Sequence, residues 1–185
     1  SPIGAMEYVV AFASTLSDGP VVVTRDGRSS GPMLAEAIQA ALNAMGHDVL
    51  YGDVAATPTT GVLVRQLNAA GGIQISASHN PPEYNGIKLF GPDGRVVGAA
   101  TGQAVMDAMR QEPAWVNYQQ VGERTRIEDT TADHRDLVFK TVDVDLIRKR
   151  NYTVVLDSNH GAGSVMGRSV LTDLNTQLTL LGGSP

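Results

Sequence analysis

Ile73-Gln74-Ile75-Ser76-Ala77-Ser78-His79-Asn80-Pro81-Pro82 decides how the rest of the chain is read. Ile73-Gln74-Ile75-Ser76 reads as a strand, and the chain enters a loop directly from its carboxyl end. Asn80-Pro81-Pro82 sets the turn, so Ser78 is exposed on backbone of restricted freedom. Upstream, Thr57-Pro58 reads as an N-cap followed by proline at the first helical position. The helix it opens runs through Val62, Leu63 and Leu67, and Gly71-Gly72 ends it. Val49-Leu50-Tyr51 is a second strand. Before it, Leu34, Ala37, Ile38, Ala41, Leu42 and Met45 recur at helical spacing, with Ser29 and Ser30 as N-cap candidates and Gly46 at C′. Val21-Val22-Val23-Thr24 is a buried strand, and residues 2–16 form a helix with Met6, Val9, Val10 and Ala13 on one face. The order αβαβαβ predicts a three-layer α/β/α domain with a mostly parallel sheet. Ligands gather at the carboxyl ends of strands in such sheets. Arg25-Asp26-Gly27-Arg28 and the Ser78 loop both fall there.

Downstream, Gly86-Ile87-Lys88-Leu89-Phe90 and Arg95-Val96-Val97 flank Gly91-Pro92-Asp93-Gly94, a hairpin signal at a sheet edge. Residues 100–110 read as a helix and 113–130 as surface loop, with Trp115 and Tyr118 as loop anchors. Residues 133–150 read as one helical stretch leading to the strand Tyr152-Thr153-Val154-Val155-Leu156. A tight turn, Asp157-Ser158-Asn159-His160-Gly161-Ala162-Gly163, precedes a helix over 164–174 and a strand over 177–181. The chain therefore divides into residues 1–130, one domain, and 131–185, linker helices and the start of a second, similar α/β domain.

Hydrophobic residues make up 42% of the 185 residues and charged residues 18%, a globular balance. A net charge of −5 disfavours nucleic acid or an anionic membrane surface as partner. The chain has no cysteine, which excludes a disulfide framework and a thiolate zinc site. With neither a spanning apolar run nor a secretory leader pattern, the expected location is cytoplasmic.

At the serine loop, Lys88 follows Ser78 by ten residues across a hairpin-like excursion and can return to the same site. Lysine supplies a point charge for phosphate, or a proton carrier if its pKa is lowered. His79 adds a donor. Arg25 and Arg28, from a neighbouring strand end, are placed to contact phosphate oxygens. A serine-hydrolase triad is disfavoured, because adjacent side chains such as Ser78 and His79 rarely adopt the required geometry and the G-x-S-x-G elbow is absent.

These segments resemble the α-D-phosphohexomutase family. The matching residues are Arg25-Asp26-Gly27-Arg28-Ser29-Ser30-Gly31-Pro32, Thr57-Pro58-Thr59, Ser76-Ala77-Ser78-His79-Asn80-Pro81-Pro82, Asn85-Gly86-Ile87-Lys88 and Gly91-Pro92-Asp93-Gly94. The resemblance implies reversible transfer of phosphate between the 1- and 6-positions of a hexose phosphate, through phosphorylated Ser78 and a bisphosphorylated sugar. It implies Lys88 as general acid or base, His79 assisting at the transferring group, and Arg25, Arg28 and Asn80 supporting the phosphate site. It also implies magnesium, bound in part through the phosphate on Ser78, and an activator of the glucose 1,6-bisphosphate type. Arg-Asp-Gly-Arg and the double proline lean toward the phosphomannomutase/phosphoglucomutase type, with phosphoglucosamine mutase as the alternative. A non-catalytic sugar-phosphate-binding module is the rival from another class.

The family's Asp-Gly-Asp-x-Asp-Arg metal loop, its sugar- and distal phosphate-binding loops and its Gly-x-Arg-Gly loop do not occur in this sequence. The expectation is an N-terminal fragment, inactive alone in the sense that it cannot by itself turn over a hexose phosphate. Asp143-Val144-Asp145 reads as a solvated helix face, and the turn over 157–163 as a close-packed connection in which His160 caps or packs.

Overall fold

Val21, Val22 and Val23 are fully buried in the strand they form, because that strand has neighbours on both edges and helices on both faces. The computed structural model describes residues 1–185. In chain order the first elements are α1 (Pro2–Ala13), β1 (Val21–Arg25), α2 (Gly31–Ala44), β2 (Val49–Val54), α3 (Thr57–Gln66), β3 (Gly71–Ile75) and β4 (Ile87–Phe90). They are followed by α4 (Ala99–Ala108), β5 (Arg124–Arg126), α5 (Ala132–Phe139), α6 (Val144–Arg150), β6 (Thr153–Asp157), α7 (Gly163–Asp173) and β7 (Gln177–Leu181).

Five strands form one sheet in the order β4-β3-β1-β2-β5. All pairs are parallel except β3 with β4. This is the expected α/β arrangement, including the antiparallel edge strand, and the hairpin closes through the amide of Gly91 donating to the Arg95 carbonyl. The pleat sorts side chains to two faces. Val21, Val23, Ile73, Ile75 and Leu89 meet Phe12 of α1, Ile38 and Leu42 of α2 and Val105 of α4. Val22 and Phe90 face Leu63 and Val64 of α3.

Several local expectations change. Gly71-Gly72 do not end a helix but open β3; a Cβ on Gly72 would lie 2.5 Å from Val64, so glycine here lets α3 sit directly on the sheet. The N-cap of α3 is Ala56, with Thr57 already helical. Ser30 occupies the N-cap of α2 without a side-chain cap bond, its hydroxyl accepting instead from Asn85 at 3.0 Å. Arg124–Arg126, within the expected loop, adds β5 beside β2. The stretch 133–150 is two helices, because the Asp143 carboxylate caps α6 by accepting from the Leu146 amide at 2.9 Å.

A second, two-stranded parallel sheet joins β6 to β7 through α7. Thr131 and Arg135 of the α5 region donate to Ser169 of α7, and Arg135 pairs with Asp173 at 3.0 Å. No helix is long and apolar enough to cross a membrane.

The hairpin tip is seated on α3. A Cβ at Gly61 would stand 2.3 Å from the Gly94 carbonyl oxygen, a backbone atom that cannot rotate away. Gly61→Ala is expected to destabilise the fold by ~1–3 kcal/mol, as overpacking does. Urea unfolding with the midpoint unchanged would mean that the tip is not held there.

Candidate functional site

The serine loop begins where β3 ends, and its entrance is fixed by backbone bonds. The Asp26 amide donates to the Ile75 carbonyl at 2.9 Å, tying the exits of β1 and β3 together. The Ser76 amide donates to Gly86 at 2.9 Å, so the loop leaves and returns at one point. Gly86 is required there, since a Cβ would lie 2.9 Å from the Ser76 carbonyl oxygen. Within the loop the Ser76 hydroxyl accepts from the Ser78 amide at 3.2 Å, and Asn80 donates its amide to Ala77 at 3.1 Å.

Ser78 itself is exposed and has φ of +56°, the left-handed region that side chains rarely adopt. Its Oγ lies 3.3 Å from Nδ1 of His79. Adjacent side chains have therefore come within hydrogen-bond distance, contrary to expectation. No carboxylate orients the ring, and a hydrolase triad is not formed.

Arg28 does not reach outward for phosphate. Nε donates to Asp26 Oδ2 at 3.1 Å. One terminal nitrogen donates to the carbonyls of Pro81 at 2.7 Å and Tyr84 at 3.1 Å, the other to Ser78 at 3.1 Å and Asn80 at 2.7 Å. Asp26 also accepts the Arg28 amide at 3.0 Å, fixing backbone and side chain together.

Arg25 is likewise engaged elsewhere. It pairs with Asp53 at 2.7 Å and donates to the Asp26 carbonyl at 3.0 Å. Asp53 also accepts from Tyr51, whose hydroxyl burial pushes above its ordinary pKa, and from Arg126 at 3.4 Å. Arg25 keeps only Nε without a partner, whereas every donor of Arg28, which also lines the cleft over Ser78, is engaged within the loop and with Asp26.

Lys88 sits on β4 opposite Gln74, so the two side chains share the face toward α3. It is half-buried and makes no hydrogen bond or ion pair with the loop. The return of Lys88 to Ser78 is thus limited to strand proximity, one residue inside the edge. Behind it lies a feature that the sequence reading missed. Thr24, Thr60 and Gln74, all buried, hydrogen-bond one another, and the Gln74 amide donates to the Ala55 carbonyl at 3.0 Å. A glutamine between two isoleucines was the available signal.

A cleft of about 490 Å³ opens over Ser78 and Asn80. Its opposite wall is the turn after β6, from Asn159 to Ala162. That turn is close-packed, as expected: the amides of Ser158, His160 and Gly161 donate to Leu181, Gly182 and Ser158, and that of Asn159 to the Asp157 carboxylate. Four of its amides are thus spent within the turn, whereas that of Ala162, at the N-cap of α7 and in the cleft lining, has no backbone partner. His160 bonds through Nδ1 to the Ser184 carbonyl at 3.0 Å rather than capping α7. A larger groove of about 650 Å³ runs between α1 and α4 and includes Trp115, whereas Tyr118 is 86% exposed and anchors nothing.

No three His, Asp or Glu side chains come together in the chain. Residues 1–185 therefore do not fit a magnesium cage of their own, and a phosphate on Ser78 would offer at most part of one.

With this geometry established, the comparisons decide the family. A model described as "Phosphoglucomutase/phosphomannomutase, alpha/beta/alpha domain I" matches residues 2–114. The chain belongs to this phosphohexomutase family. A phosphoglucosamine mutase from Parasynechococcus marenigrum (strain WH8102) is 37% identical over 169 residues, covering 91% of this chain and 36% of that protein. A phosphoglucomutase/phosphomannomutase from Thermococcus kodakarensis is also 37% identical, over 191 residues, with 100% and 42% covered. A solved structure named as a phosphomannomutase from Thermus thermophilus has a TM-score of 0.80 at 26% identity, over 98% of this chain and 42% of the other. The chain thus spans well under half the length of these relatives.

In this family member the Thr57-Pro58-Thr59 segment also meets α5. The buried Thr59 hydroxyl lies 2.9 Å from Nδ1 of His134, and burial holds the pKa of His134 below the ordinary 6.5. The unfolded chain then binds a proton more readily than the folded one just below that value. The stabilisation is present above pH 6.5 and is lost as pH falls through the folded pKa. NMR titration should place the His134 midpoint below 6.5, and His134→Gln should flatten the decline of stability on the acid side of that value. A midpoint at or above it would contradict the buried contact.

Proposed function

We propose that this chain carries the phosphoserine part of a phosphohexomutase active site, with Ser78 as the phosphoryl carrier. The observation that supports it is the Ser78 hydroxyl itself, held at the carboxyl edge of a parallel sheet in left-handed backbone and open to a cleft. In the forward step the bond from Ser78 Oγ to phosphorus breaks as a sugar hydroxyl oxygen bonds to phosphorus. The hydroxyl proton passes to a base, and the product is a bisphosphorylated sugar. In the return step the phosphorus of the sugar's other phosphate bonds to Ser78 Oγ as its bond to the sugar oxygen breaks, and that oxygen recovers the proton from the base.

Lys88 is the proposed proton carrier; it is not consumed by any ion pair, and its face of β4 leads to the edge where Ser78 emerges. His79, with Nδ1 toward the Ser78 oxygen, assists the transferring group. Asn80 lines the cleft beside Ser78. Positioning and charge compensation are the main demands of phosphoryl transfer. Magnesium enters only as the expected counter-ion of the phosphorylated serine, with ligands that residues 1–185 do not supply.

The substrate class is a hexose or hexosamine phosphate, since relatives of both types stand at 37% identity. Incubation with glucose 1,6-bisphosphate and with its glucosamine counterpart should add one phosphoryl group, seen as an intact-mass increase. Ser78→Ala should abolish the uptake and Lys88→Met should slow it by about 10²-fold or more, the usual scale of lost general acid–base catalysis. Sugar phosphate binding without any adduct would instead favour a binding module.

A further inference from the structure

We propose that Arg28 is the positioning residue of the serine loop, setting the backbone of Ser78 while making no contact with phosphate. Its kinetic consequence rests on the mutase reading, and its structural one on the geometry alone. A guanidinium has five N–H donors in a fixed planar fork. Here one goes to Asp26 and the other four to the carbonyls of Ser78, Asn80, Pro81 and Tyr84. Every donor is used, and the side chain is only 13% exposed.

The loop has little else to hold it. Between Ser78 and Tyr84 its own backbone bonds are those from Asn80 to Ala77 and from Tyr84 to Pro81. Ser78 nevertheless stays in a left-handed conformation, which persists only where the surroundings over-determine it. The fork does so from the centre of the loop, and Asp26 locks the fork to the exit of β1.

The arrangement also has an electrostatic effect. Four carbonyl oxygens turn inward to Arg28, so their negative ends do not face a phosphate on Ser78. The Arg28 charge is itself offset by Asp26, which leaves the phosphoryl group free to depart. Lysine cannot substitute, because three donors from one point cannot satisfy four carbonyls and a carboxylate in a plane.

The test uses this chain with Arg28→Lys, Arg28→Met and, as a control, Arg95→Met at the exposed hairpin tip. Amide hydrogen exchange at Asn80 and Tyr84 reads the loop directly. Both variants at position 28 should exchange faster by about tenfold or more, as loss of hydrogen bonds to a charged group implies, and the control should not. Phosphoryl uptake from glucose 1,6-bisphosphate, with magnesium, reads the consequence. The maximal rate should fall by about 10²-fold, the scale of a misplaced reacting group, with the half-saturating concentration unchanged. If Arg28→Met fails to fold, Arg28→Lys carries both measurements.

Unchanged exchange overturns the anchor. A raised half-saturating concentration at an unchanged maximal rate overturns it in favour of a direct phosphate contact. A wild-type chain that takes up no phosphoryl group overturns the mutase reading, and the exchange result then decides the anchor by itself.

Discussion

The placement of β1 between β2 and β3 governs everything at the functional edge. Arg25 is in register with Val54 on one side and with Ile75 on the other, so three chains leave the sheet at one height. Two more backbone bonds, Ala55 to Arg25 and Asp26 to Ile75, carry the pairing one step past the strands. Only because the exits are level can Arg28, three residues beyond β1, reach the middle of the loop that follows β3. The Thr24, Thr60 and Gln74 network reinforces this level from inside the sheet. It links β1, β3, α3 and the turn after β2 with polar groups that are all satisfied, the condition under which buried polar groups rigidify a fold rather than weaken it.

The same geometry spends the cations of the edge. Arg25 is bound to Asp53 and Arg28 to Asp26. A phosphoserine adds roughly −1.5 to −2 charges at neutral pH, and the chain already carries a net −5. Of the candidate site residues, His79 beside Ser78 and Lys88, opposite Gln74 on β4, have no carboxylate partner. A phosphate held by so little fixed charge is not locked in place. On the proposed mutase reading that suits a group that must transfer and return, and it gives a physical ground for expecting a further cation.

The element order was legible because hydrophobic periodicity and glycine or proline punctuation act locally. The three β-branched valines, the helical spacing from Leu34 to Met45 and the Gly91-Pro92-Asp93-Gly94 turn each carry their own signal, and each element formed. What was illegible depends on contacts distant in sequence. Arg124–Arg126 has no apolar pattern and is strand only because β2 offers an unpaired edge. Gly71-Gly72 looked like a helix stop, and only the approach of Val64 reveals why glycine is needed in β3. At the site, the identity of Ser78 and its neighbours was readable as a motif. The engagement of both arginines was not, since Asp53 and the four loop carbonyls are brought to them by tertiary packing.

The second sheet then takes on a geometric rather than a chemical part. Its turn after β6 spends the amides from Ser158 to Gly161 internally, and the His160 carbonyl lies so close to Gly27 that a Cβ there would stand 2.5 Å away. The contact presses this wall against the exit of β1, beside the residue that anchors the serine loop. Ala162, in the cleft lining of this wall, keeps its amide unpaired at the start of α7. On the proposed mutase reading the bisphosphorylated sugar has to turn end for end in the cleft between this wall and Ser78. On that reading Arg28 fixes the loop that carries Ser78, and the turn after β6 bounds the space in which the sugar reorients.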